Sequence, residues 1–138
     1  MIDVVPFELE HIEMLAAPRV DFGEVAAFDN PSVFAFTGMI GERVMGSAGA
    51  FLLWPGVGEA WALFSRMSSD EGRACTLTAR RRLKSFMQQG EMHRLQAAIL
   101  VDDIPACRFA RALGFKYEGE MPAYSSDGAT CVRYGKVI

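Results

Sequence analysis

What most constrains this chain is the succession of two segments, GRACTLTARRRLKSFMQQG and HRLQAAILV. In the first, Cys75, Ala79, Leu83, Phe86 and Met87 recur at helical spacing on one face, and Gly90 supplies a stop. The second is an almost uninterrupted apolar run, as expected of a strand covered on both faces. EAWALFS, ahead of the helix, also reads as a strand. Strand, helix and apolar strand make a βαβ crossover, which implies parallel or mixed pairing.

The flanking segments read as elements of the same sheet. IDVVPF is a short strand closed by Pro6, and FELEHIEMLAA places Leu9, Ile12, Leu15 and Ala16 on one helical face before Pro18. GEVAAF suggests one more short helix and DNP a turn. VFAFTGMI and VMGSAGAFLL, joined through IGERV, form a hairpin in which Gly46 and Gly49 mark bulges or close backbone approach. WPGVG is the next turn. Beyond the apolar strand, a helix from Ile104 to Leu113 stops at Gly114, and KYEGE and TCVRYGKV close around SSDG. No repeat or linker divides the chain, so residues 1–138 are read as one domain.

Charge and cysteine usage narrow the function. A net charge of −3 gives no general attraction to nucleic acid or to an anionic membrane. MIDVVPFELE carries acids where a signal peptide needs basic residues, and no apolar run approaches the roughly 18 residues of a membrane helix. Cys75, Cys107 and Cys131 form no C-x-x-C pair, and His11 and His93 are too few to complete a metal site. Three reduced thiols and a cytoplasmic location are the expectation. The 51% apolar content, with aromatics that look exposed, leaves room for a homodimer.

Two segments can carry chemistry. SRMSSDEGRAC runs from a strand into a helix N-terminus, where free amides and the helix dipole favour a phosphate or pyrophosphate. Gly72 would allow close approach there, and Arg66 or Arg73 could add a charged contact. The same residues also suit plain capping, by Ser68, Ser69 or Asp70. Cys75 falls near the start of this helix, where a thiol pKa can be lowered, and also on its buried face. In ARRRLKS, a solvated helix face, Arg80 or Arg81 could reach toward a ligand phosphate. In VDDIPACRFARALGF, Asp103 can cap the second helix, Pro105 suits its first turn, and Ala106, Phe109, Ala110 and Leu113 face inward. Gly114 then supplies a left-handed stop.

Taken in order, IGERVMGSAGAFLL, EAWALFS, HRLQAAILVDD and ACRFARALGFKYEGE, followed by Tyr124 and Asp127-Gly128, resemble the GNAT superfamily of N-acetyltransferases. The resemblance spans about Ser32 to Ile138. It implies an α/β fold, a mixed, mostly antiparallel sheet of six to seven strands with helices on both faces, and acetyl-CoA as acyl donor. Acetyl-CoA would lie in a V-shaped opening between Glu59–Ser65 and His93–Val101. Backbone groups of Leu63, Phe64 and Ser65 would pair with the pantetheine arm, and amides of Gly72, Arg73, Ala74 and Cys75 would hold the pyrophosphate. Asp103 and Phe109 stand at further cofactor-side positions. The acceptor is an amine, on a small molecule or a protein, with Glu59 placed to act as base and Tyr117 or Tyr124 available as acid.

The sequence departs from the family pattern at three places. The phosphate loop reads SSDEGRAC with one glycine, Ala110 stands where a tyrosine often serves the thiolate, and Asp103 stands where an asparagine is usual. Through LLWPGVGEAWAL the chain also resembles short GNAT-like proteins of tailed phages and prophages, some of them virion-associated. That likeness implies phage virion proteins as partners and an assembly role with weak or lost acetyl transfer.

Overall fold

The computed structural model describes residues 2–15, 34–90 and 92–138. They form strands β1 (Asp3–Pro6), β2 (Phe34–Ile40), β3 (Arg43–Trp54), β4 (Val57–Phe64), β5 (Arg94–Leu100), β6 (Lys116–Met121) and β7 (Cys131–Val137). The helices are α1 (Glu10–Glu13), α2 (Ser69–Gln89) and α3 (Ile104–Ala112). The segments GEVAAF and DNP, and Ala16 of the first helical face, lie outside the described residues.

One seven-stranded sheet runs in the order β1-β2-β3-β4-β5-β7-β6. Every pairing is antiparallel except β4 with β5, the crossover expected from the sequence. Side chains alternate across the pleat, so each strand supplies two layers. On one face Ala50, Leu95, Val132 and Tyr134 pack against Leu83 and Met87 of α2 and Cys107 and Ala110 of α3. On the other face Leu63 and Val44 pack against Leu15, and Phe51 and Trp61 against Phe7. Helices therefore cover both faces.

A register shift in the β2–β3 ladder passes from Gly38↔Gly46 to Met39↔Val44 and leaves Met45 as an extra residue. This bulge turns Val44 onto the α1 face. The α1 segment is held there by polar groups. The Glu8 amide donates to His11 Nδ1 (3.1 Å), which lies 2.7 Å from Thr37 Oγ1, itself 2.8 Å from Ser47 Oγ. All three side chains are buried.

Both ends of α3 are punctuated as the sequence suggests, with two cations added at the C-terminal one. Asp103 accepts the Ala106 amide at 3.2 Å, and Gly114 has φ +95°, a value only glycine adopts without strain. Arg80 donates to the Ala112 carbonyl (Nε 3.1 Å, Nη2 2.6 Å), and Lys136 Nζ donates to that of Leu113 (3.0 Å). These contacts satisfy carbonyls that a helix end otherwise leaves open. Arg80, a candidate for a ligand phosphate, is thereby used as a helix cap.

Candidate active site

β4 and β5 pair over three positions only, Val57↔Arg94, Gly58↔Leu95 and Glu59↔Gln96. Past Glu59, β4 stays on β3 as far as Phe64 and β5 stays on β7 as far as Leu100. The sheet thus splits into a V with Glu59 and Gln96 at its apex.

The backbone direction in β4 decides which groups face the opening. The Gly56 carbonyl accepts from His93 and Arg94 of the β5 side, whereas the Ser65 amide donates to Met45 of β3 at 2.9 Å. Successive residues of a strand point to opposite neighbours, so Ala60, Ala62 and Phe64 present their amide and carbonyl groups to the V. Of the three residues expected to pair with an extended ligand, Phe64 is placed to do so. Leu63 and Ser65 face β3, and Ser65 Oγ donates to the Val44 carbonyl (2.9 Å).

Under the helix side of β4, Phe64 meets Phe109 edge to face, with centroids 4.6 Å apart. Together with Gly46, Cys75 and Ala79 they line an apolar cleft of about 30 Å³. A Cβ on Gly46 would come within 2.8 Å of the Leu63 carbonyl, so this wall requires glycine. Cys75 sits in the second turn of α2 and not the first. Burial, with the Glu71 carboxylate nearby, pushes its thiol above the ordinary range, opposite to activation by a helix N-terminus.

The start of α2 is a capping box. Ser68 Oγ accepts the Glu71 amide (3.2 Å) and Glu71 Oε1 accepts the Ser68 amide (2.9 Å). The Gly72 amide already donates to the Ser68 carbonyl at 2.8 Å, and Arg73, Ala74 and Cys75 follow within the helix. The pyrophosphate expectation for these four amides therefore needs correcting. The first-turn donors still directed outward belong to Ser69 and Asp70. Glu71 is also paired with Arg43 at the start of β3. The Ser68 amide, followed by Arg43, holds the Glu71 carboxyl below its usual range.

A polar network crosses four strands at the apex. Glu59 receives Gln96 Nε2 at 3.1 Å and Arg133 Nη1 at 3.2 Å from each carboxylate oxygen. Gln96 Oε1 accepts from Arg94 Nε (3.1 Å), and Arg94 grips Glu118 through two bonds of 3.0 and 2.5 Å. The Glu59 side chain is 18% exposed, and burial raises its pKa against the opposing pull of Gln96 and Arg133. It is thus neither a solvated strand-end residue nor an isolated base. Arg133 also lies 3.3 Å from Met121 Sδ and 5.9 Å from the centre of the Tyr124 ring. Tyr124 follows Ala123, a non-glycine residue at φ +53°, and its loop closes through Ser125 and Ala129.

A mostly antiparallel seven-stranded sheet with one parallel pair, splayed after three positions and flanked by helices on both faces, decides the fold. This is the GNAT fold. The chain superposes on an acetyltransferase of the GNAT family from Bacillus anthracis with TM-score 0.72, 16% identity, and 99% and 94% of the two chains covered. Ard1 from Thermoplasma volcanium gives TM-score 0.73 at 14% identity, covering 99% of this chain and 97% of that one. The aminoglycoside acetyltransferase AAC(6')-Ib, solved in complex with coenzyme A, gives 0.69 at 15%, with 99% and 95% covered. At the level of sequence, no family model and no curated protein matches.

Within this GNAT fold, the residues singled out from sequence fall into two groups. Glu59 and Tyr124 converge on Arg133, while Phe64, Cys75 and Phe109 share the apolar cleft. Asp103 is spent on its own helix. Gln96 and Arg133 escaped the sequence reading. The available signal was a lone arginine between Val132 and Tyr134, both buried, in the closing strand TCVRYGKV. Among the described residues no group of metal-ligating side chains occurs, and no helix is long and apolar enough to cross a membrane.

Proposed function

We propose that this chain is an acetyl-CoA-dependent N-acetyltransferase that modifies an amine on a small molecule or a protein. The observation that carries the reading is the splayed β4–β5 pair with a half-buried carboxylate at its apex. The freed edge of β4 at Ala60, Ala62 and Phe64 suits an extended arm bearing amides, which would add to it as a strand does. Ser69 and Asp70 amides, with Arg66 and Arg73 close in sequence, suit the pyrophosphate end. When bound, acetyl-CoA supplies an activated acyl carbon, to which the amine nitrogen bonds as the C–S bond breaks. Glu59 takes the proton that the acceptor ammonium must lose, and its raised pKa brings it nearer the range in which a base works at neutral pH. In this reading Tyr124, whose ring lies against Arg133, returns a proton to the departing thiolate. Cysteines at 75, 107 and 131, none in a C-x-x-C pair, suit a reducing, cytoplasmic setting.

Thiol release from acetyl-CoA, followed against a panel of aminoglycosides, polyamines and peptide N-termini, tests this. At least one amine should be acetylated, and Glu59→Gln should slow the reaction about 100-fold or more. Absence of turnover with every amine, or full activity in the Glu59→Gln protein, contradicts the assignment.

A second reading, assembly with phage virion proteins or as a homodimer, draws on one observation. The β3–β4 hairpin that carries the LLWPGVGEAWAL likeness exposes Leu52, Leu53 and Trp54, the last at 60%. Sedimentation of the pure protein and of a Trp54→Ser variant separates the two: a concentration-dependent dimer lost on substitution supports self-association, and a monomer in both excludes it.

A further inference from the structure

The acid–base residue proposed above has a partner that no family likeness points to. Arg133 belongs to β7, and β5 lies between it and Glu59 on β4. In register Arg133 stands beside Ala98, and two positions along, Gly135 stands beside Gln96. On β5 only the Ala98 methyl stands beside Arg133, so the guanidinium crosses that strand next to Gln96 and meets both oxygens of Glu59 at 3.2 Å, while the space over Gly135 is taken by the Glu118 carboxylate. Both side chains are less than one-fifth exposed.

We propose that Arg133 is the positioning residue of this site, fixing the rotamer of Glu59 at the apex of the V and keeping that carboxylate charged in a half-buried place. The inference rests on the assignment of Glu59 as base, and it concerns how that base is made usable. Three features support it. Nη1 is shared between both carboxylate oxygens, which holds the carboxylate plane and not merely one atom. The guanidinium is itself fixed, by Met121 Sδ at 3.3 Å from Nη2 and by the Tyr124 ring. The loop that presents Tyr124 contains the one non-glycine residue with positive φ among the described residues, Ala123, which is backbone strain placed beside the site.

The charged and titratable groups around Glu59 are few, and their signs matter. From β7 comes Arg133. From β5 comes Arg94, whose charge is largely engaged by Glu118 of β6. Tyr124 stacks on Arg133 from the loop before β7. Gln96 cannot titrate, and its orientation is fixed because it donates to Glu59 while accepting from Arg94. Removing Arg133 therefore leaves one neutral donor and one engaged cation against the burial of Glu59. A carboxylate in that state retains its proton to higher pH.

The test is a carbon-13 NMR titration of the side-chain carboxyl of Glu59, assigned with Glu59→Gln, in the wild-type protein and in Arg133→Met and Arg133→Lys. An opposite charge within about 4–6 Å lowers a carboxyl pKa by roughly 1–3 units, so the midpoint should rise by about one unit or more in Arg133→Met. It should rise by less in Arg133→Lys, whose ammonium keeps the charge but is more strongly hydrated and lacks the planar group that seats against Met121 and Tyr124. An unchanged midpoint in a folded Arg133→Met protein overturns the proposal. Should that variant not fold, Arg133→Lys carries the test, and a midpoint identical to wild type overturns it. For acetyl transfer, the acid limb of the pH–kcat/KM profile should move upward with the midpoint, and the Arg133→Met rate should recover at alkaline pH. A rate lost equally at all pH values identifies a merely structural residue. If acetyl transfer is absent altogether, the titration still reads the Arg133–Glu59 coupling, so the two failures are distinguishable.

Discussion

Gly72→Ala is the most informative single substitution at the cofactor end, because stability and binding should move in opposite directions. Gly72 is the fourth residue of α2, its amide donates to the Ser68 carbonyl, and its carbonyl accepts from Thr76 Oγ1 at 2.8 Å. A Cβ built there meets only Met67, at 3.7 and 3.8 Å, which is ordinary contact. Nothing in the free protein therefore demands glycine. Replacing it removes unfolded-chain freedom and should stabilise the fold by about 0.5–1 kcal/mol. At about 2.1 cal/mol/K of unfolding entropy per residue, a chain of 138 residues should gain about 2–3 °C in Tm. If the glycine is present so that a pyrophosphate can approach the helix, the same methyl group should weaken CoA binding tenfold or more. Calorimetric melting and CoA titration of one preparation give both numbers. A lower Tm refutes the helix argument, and unchanged affinity refutes the idea that ligand approach selects glycine here.

Other consequences follow from the same geometry. Glu71→Gln keeps the capping box, since glutamine can make the same backbone bond, but removes a negative charge and releases Arg43; CoA should bind about threefold tighter at low salt, and a weaker complex would contradict this. Gly46→Val should cost about 1–3 kcal/mol in urea unfolding, because its Cβ meets the immobile Leu63 carbonyl at 2.8 Å as well as the movable Phe64 ring. The Arg94 guanidinium holds the Glu118 carboxyl below the ordinary glutamate value, so this pair contributes stability above that value and loses it as pH falls through the folded one. The Tm difference between wild type and Glu118→Gln should thus be present at neutral pH and vanish in acid; a difference that persists under acid would show that the pair acts by packing.

Local signals were readable in the sequence wherever the physics is local. The helix stop at Leu113-Gly114-Phe115 and the Asp103 cap follow from backbone conformations of neighbouring residues, and the βαβ crossover follows from hydrophobic periodicity. The spacing of Ser68 and Glu71 was equally readable as a capping box, and it shows why amides from Gly72 onward are spent within the helix. The separation of β4 from β5 was legible through the family resemblance and not through periodicity, and Gly46 marked only a bulge or close approach. That Met45 is the extra residue was not readable, because it depends on the register of the strand alongside. The Glu59–Arg133 pair joins residues 74 positions apart, and only the order β4-β5-β7, with the small Ala98 beside Arg133 on the strand between, brings them together. Arg80 shows the converse: a cation on an exposed helix face looks free until the neighbouring helix end is placed beside it.

The central claim is that the V between β4 and β5 holds acetyl-CoA, and isothermal titration of the purified protein with acetyl-CoA and with CoA at moderate salt tests it most directly. The account predicts one site per chain with micromolar affinity, weakened by Gly72→Ala. No heat and no displacement at millimolar ligand would contradict it and leave the splayed sheet serving another purpose.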